Sequence, residues 1–95
     1  MAAYVILDIE VVDPALYEAY KKSSTEVAAM YGGKFIVRGG KAEALEGDRQ
    51  PHRVVVLEFA NAERARAWWA SEEYREPKAI RQRAARTSMI LVEGA

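Results

Sequence analysis

"HRVVVLEFA", residues 52–60, is the stretch on which the fold turns. Its β-branched and aliphatic run is almost unbroken, which predicts a strand buried on both faces and central in a sheet. Before it, "EGDRQP" (46–51) is dense in turn formers. After it, Asn61 is a helix cap for "AERARAWWAS" (62–71), whose inner face would carry Ala62, Ala65, Trp68 and Trp69. Ser71 reads as both a stop and a fresh cap. "SEEYREP" (71–77) predicts a short turn or distorted helix, because Pro77 sits badly inside a helix. "KAIRQRAAR" (78–86) resumes the helix with Ile80 and Ala84 inward, and "TSMILVEG" (87–94) is a last strand.

Toward the N-terminus, Tyr4 to Val12 is a strand with Asp8 and Glu10 on one face at period two. Asp13-Pro14 is a capping side chain followed by a proline at the first helical position. Tyr17, Tyr20, Val27, Ala28 and Tyr31, with Ser24 in the gap, then recur in steps of three and four and form one helix face. Gly32-Gly33 ends that helix. "KFIVRGG" (34–40) is a second strand whose alternation puts Lys34, Ile36 and Arg38 opposite Phe35 and Val37; glycine in it marks a bulge or a close backbone approach. The order is therefore β-α-β-β-α-β, the split βαβ pattern of ferredoxin-like α+β folds, with an antiparallel four-stranded sheet and helices on one face. The other face would carry Tyr4, Ile6, Val54, Val56, Ile90 and Val92, too apolar a patch to leave in water. Two copies packed sheet to sheet would bury it, which predicts a homodimer.

Ninety-five residues predict one domain, 1–95. Lys+Arg equals Asp+Glu at 14 each, so no net charge points to nucleic acid or to an anionic membrane surface. With no cysteine there is no disulfide, thiolate metal site or cysteine nucleophile. "MAAYVILDIEVV" lacks the basic start of a signal peptide and is interrupted by acids, and no apolar run is long enough to span a membrane. The expectation is a cytoplasmic protein.

"YVILDIEVVDPALYEAY", "YGGKFIVRGG", "LEGD", "HRVVVLEFANAERARAWWASEEY", "AIRQRAAR" and "LVEG" resemble the domain-of-unknown-function 1330 family from about Tyr4 to Gly94. The most specific parts are Arg38-Gly39-Gly40, Glu46-Gly47, Glu58-Phe59, Trp68 with Ser71 and Tyr74, and Arg81. The resemblance implies a dimeric α+β barrel of the ferredoxin-like superfamily and no established reaction. Pro77 departs from the uninterrupted helix of many relatives.

Two constellations carry chemistry. Arg38, flanked by Gly39 and Gly40, can take a carboxylate bidentately, or pair across the sheet with Glu58 or Asp8. Trp68, Tyr74 and Arg81 offer an indole wall, a phenol and a guanidinium, which suits a small acid with an apolar body; the alternative is core packing with a surface arginine. Tyr17 would extend the apolar wall. His52 follows Pro51 in a turn and reads as exposed. A lone histidine leaves zinc short of ligands, so neither metal nor cofactor is expected. Nothing sets a base beside a serine.

Three functions fit. The first is binding of a small carboxylate-like anion by Arg38, Gly39, Trp68, Tyr74, Arg81 and Tyr17. The second is a cofactor-independent enzyme (monooxygenase, isomerase or decarboxylase-like, by fold analogy) with Asp8 or Glu58 as base. The third is a structural dimer that serves a partner protein.

Overall fold

The computed structural model describes residues Met1–Ala95. Its elements are β1 (Ala3–Val11), α1 (Pro14–Met30), β2 (Lys34–Arg38), β3 (Arg53–Phe59), α2 (Ala62–Ala70), α3 (Glu72–Ala84) and β4 (Ala85–Glu93). The strands lie in the order β2-β3-β1-β4, every neighbouring pair antiparallel. This is the ferredoxin-like α+β arrangement that the order of apolar patterns predicts, with β3 and β1 in the centre. No helix is long and apolar enough to cross a membrane.

The helices start where the cap residues say. The Asp13 carboxylate accepts from Leu16 N–H, Asn61 from Arg64 N–H, and Ser71 from Tyr74 N–H, each satisfying an otherwise orphan first-turn donor. Ser71 also closes α2, its hydroxyl donating to the Trp68 carbonyl at 2.8 Å. Beyond Ser71 the structure departs from the expected distortion: α3 runs without a break through Pro77. A proline there removes one hydrogen bond near the helix start, and the ring is buried. Glu72 and Glu73 in the first turn and Arg81 and Arg83 in the last match the helix dipole.

Alternation sorts the sheet into two faces. Val5, Leu7 and Ile9 of β1 and Val55, Leu57 and Phe59 of β3 are buried under the helices. Tyr4, Ile6, Val54 and Val56 on the opposite face are only half-buried, and Ile90 and Val92 remain 59% and 43% exposed. In the single chain β3 is therefore covered on one face, not on both. Trp69 corrects the α2 reading in the same way: Ala65 and Trp68 are buried while Trp69 is 47% exposed, because adjacent helix residues diverge by about 100°.

A column of aromatic rings crosses the interior. Phe59 meets Trp68 at 5.5 Å between centroids, Trp68 meets Tyr74 at 4.3 Å, Tyr74 meets Tyr20 at 6.4 Å, and Tyr20 meets Tyr17 at 5.6 Å. Midway, the Tyr20 and Tyr74 hydroxyls share a buried hydrogen bond of 2.8 Å that ties α1 to α3. Burial, reinforced by the adjoining Tyr74, pushes the Tyr20 phenol well above the ordinary tyrosine value. A group so shifted contributes stability that is complete below its unfolded value and is lost as pH rises through the folded one.

Urea unfolding of Tyr20→Phe and of Tyr74→Phe should each show a loss of about 1–3 kcal/mol, since each leaves a buried hydroxyl unpaired. The double variant should lose less than the sum of the two. Wild-type stability should decline as pH passes above about 10, more steeply than in the double variant, when followed by far-UV circular dichroism.

Candidate functional site

The aromatic column divides the helix-covered side of the sheet into two clefts. The larger lies between α2 and β4. Val5, Ala65, Trp68, Trp69, Met89 and Leu91 are among the residues that line it, and it encloses about 410 Å³, within the size range of small-molecule sites. It adjoins a second hollow of about 390 Å³ bordered by Arg81, Gln82 and Thr87, the two sharing Trp69 and Met89. Together they form one groove with an apolar end and a polar end.

Three buried polar atoms border this groove with no hydrogen-bond partner: Trp68 Nε1, Arg81 Nε and Thr87 Oγ1. Arg81 is 5% exposed and makes neither an ion pair nor a hydrogen bond through its side chain. Helix spacing aims it inward with Tyr74, Pro77 and Ala84, and the end of the α3 dipole is its nearest compensation. Trp68 is held from behind by Tyr74 and Phe59. At the rim, the Lys78 ammonium lies 3.8 Å from the centroid of the Trp69 ring and donates to the Trp69 carbonyl at 2.9 Å. No Asp, Glu or His lines the groove. Its chemistry is that of an apolar cleft with an indole N–H, a guanidinium and a hydroxyl, groups that meet acceptor atoms.

The second, smaller cleft lies between α1 and β2–β3. It holds about 20 Å³ of free space, with Tyr17, Tyr20, Lys21, Ser24, Arg38 and Arg53 among its walls. Arg38 arrives there by a route the alternation did not predict. Lys34 pairs with Glu58 and Phe35 with Leu57, but Val37 pairs with Val56 and Arg38 with Val55. The bulge at Ile36 shifts the register by one residue. Arg38 therefore shares the helix side with Phe35, not the far side with Lys34. Its guanidinium lies 4.1 Å from the Phe35 centroid and donates to Thr25 Oγ1 at 2.6 Å. Gly39 has φ +74°, and a Cβ there would clash with the Arg53 guanidinium; left-handed backbone and close approach both call for glycine.

The expected site residues thus fall in three places. Trp68 and Arg81 border the β4 groove, while Tyr74 stands behind Trp68 with its hydroxyl occupied by Tyr20. Arg38, Gly39 and Tyr17 gather at the α1 cleft. Asp8 and Glu58 lie on the helix-free face. Asp8 accepts from the His52 backbone N–H at 2.9 Å, with His52 Nδ1 3.7 Å away, and Glu58 accepts from the Tyr4 hydroxyl at 3.3 Å. Neither can be the partner of Arg38. Arg53 and Thr87 are additions. Both sit at the strand parity of the buried residues, Arg53 with Val55 and Leu57, Thr87 with Met89 and Leu91. A polar residue at core parity is the sequence signal that could have found them.

Comparison with solved structures places the architecture among known ones. The RPA0582 protein of unknown function from Rhodopseudomonas palustris superposes with a TM-score of 0.76 at 21% identity, over 99% of this chain and 82% of that one. SnoaB, a cofactor-independent oxygenase from Streptomyces nogalater, gives 0.68 at 15% identity over 99% and 92%. A putative antibiotic biosynthesis monooxygenase from Bacteroides thetaiotaomicron gives 0.55 at 22% over 98% and 88%. At these identities the likeness is one of fold. No curated protein matches the sequence. The sequence pattern itself matches the domain of unknown function DUF1330 over residues 2–95, and the chain belongs to that family.

Proposed function

We propose that this protein binds a small organic acid with an apolar body in the groove between α2 and β4. The acid group meets Arg81 and the body lies against Trp68, Met89 and Leu91. The observation that carries this reading is the state of Arg81: a residue 5% exposed, with no ion-pair partner and a buried Nε without an acceptor. An uncompensated buried charge costs several kcal/mol, and the chain has 14 carboxylate side chains from which a partner could have been placed. A ligand acid supplies the missing charge. Trp68 Nε1 and Thr87 Oγ1 add two groups that fit further acceptor atoms, and Tyr74, stacked on Trp68, sets the position of the indole. Likeness to a cofactor-independent oxygenase suggests turnover of the bound acid as a second reading. The bases expected for it, Asp8 and Glu58, lie across the sheet from the groove, so the geometry favours binding.

The helix-free face belongs to the same proposal. Tyr4, Ile6, Val54, Val56, Ile90 and Val92 form an apolar patch there, with Asp8, Glu10 and Glu58 at its margins. A second copy of the chain is its occupant: a two-fold axis apposes identical surfaces, and a small chain gains the burial it lacks alone. Ile90 also borders the groove, so pairing would close its mouth.

Differential scanning fluorimetry should show a rise in Tm with aryl- and alkyl-carboxylates and none with acetate. A ligand at about a hundred times its Kd adds roughly 2.7 kcal/mol, several degrees for a domain of this size. Arg81→Met should abolish the rise while leaving the unliganded protein as stable or up to about 4 kcal/mol more stable, since an apolar replacement removes the unpaired charge. A flat response across the panel, or an equal response in Arg81→Met, would overturn the reading. Sedimentation velocity should report a dimer that Ile90→Glu with Val92→Glu converts to a folded monomer; a wild-type monomer at micromolar concentration would refute the pairing.

A further inference from the structure

We propose that the cleft between α1 and β2–β3 is a second, independent site, for a phosphate group held between Arg38 and Arg53. Three cations, Lys21, Arg38 and Arg53, line it, and no carboxylate does. Lys21 is already balanced by Glu18 at 3.1 Å, whereas neither arginine enters an ion pair. Two guanidinium groups without carboxylate partners match a dianion in charge. Planar guanidinium forks bind the oxygens of phosphate bidentately.

The two arginines are held differently. Arg53 is the fixed partner: its Nε is buried without an acceptor, its guanidinium lies 5.7 Å from the Tyr17 centroid, and the bare backbone of Gly39 presses on it. Arg38 is exposed and restrained only by the Phe35 ring and a hydrogen bond from its Nη2 to Thr25 Oγ1. The free space of about 20 Å³ holds about one water. A phosphate therefore enters only if Arg38 swings outward and closes over it, exchanging Thr25 for a phosphate oxygen. Gly39 lets the backbone reach the Arg53 guanidinium and so sets the second arginine beside the first.

The test is a thermal and calorimetric titration with sodium phosphate against sodium chloride at matched ionic strength, with glycerol phosphate as a second arm. Phosphate should raise Tm by several degrees beyond the chloride control and give saturable heat. Equal affinity for the two probes points to free phosphate, and tighter binding of glycerol phosphate points to an ester. Arg38→Ala, at an exposed position, should keep the fold and weaken binding at least tenfold. Arg53→Met should abolish it, and Arg81→Met should leave it unchanged. Arg53→Met also removes the packing of Arg53 against Tyr17 and Gly39, so Arg38→Ala with its circular dichroism spectrum decides the matter alone. No response beyond chloride, or phosphate binding unaltered in folded Arg38→Ala, would overturn the proposal.

Discussion

The hydrogen bond between the Tyr20 and Tyr74 hydroxyls is the joint on which the interior depends. It is the buried polar contact between α1 and α3, and it lies at the middle of a run of rings from Phe59 to Tyr17. Each hydroxyl would be costly to bury alone, so each fixes the other. The ring column that results fills the centre of the helix layer and leaves space only at its flanks. One flank opens toward β4 and the other toward β2. The existence of two clefts, in place of one pocket lined by every candidate residue, follows from that filling.

Both clefts carry an arginine with a buried Nε that lacks an acceptor. The surroundings tell the two apart. Arg81 borders the polar end of a groove of ligand size whose other end is apolar, and it lies in the last turn of α3, where the helix dipole favours a cation. Arg53 sits over an aromatic ring in a cleft with almost no free volume, next to a second arginine that can move. Cation–π contact offsets part of the cost of desolvating a guanidinium, by about 0.5–2 kcal/mol, but it does not balance charge. Apolar bulk with one acid is therefore matched to the first site, and compact multiple charge to the second.

Much of this was legible in the sequence, and what was not has a physical cause. Period-two alternation assigned the faces of β1, β3 and β4 because those strands pair without irregularity. It failed on β2, where the bulge at Ile36 inverts every later side chain and carries Arg38 to the helix side. The glycines hint at a bulge; its position three residues before Gly39 depends on pairing with β3, which no local pattern encodes. Pro77 misled for a related reason. The propensity argument counts the lost hydrogen bond but not the burial of the ring. Trp68 and Arg81 are legible together with Tyr74 as a set of chemically apt side chains, whereas nothing in the run "HRVVVLEFA" singles out Arg53. Its parity, shared with Val55 and Leu57, was the better guide.

The balanced charge of the chain conceals a spatial separation. Asp8, Glu10 and Glu58 all point to the helix-free face, in the company of Lys34, His52 and Arg86. Under the helices the cations Arg38, Arg53 and Arg81 have no acidic counterpart among the residues lining their clefts. A neutral total thus excludes a strong long-range field, and with it steering toward nucleic acid, yet it permits local positive potential at two clefts, stronger at the buried Arg81 than at the exposed Arg38. The sheet itself enforces the separation: every step along a strand reverses the face, so the acids at even positions of β1 and β3 cannot turn to meet the guanidinium groups on the other side.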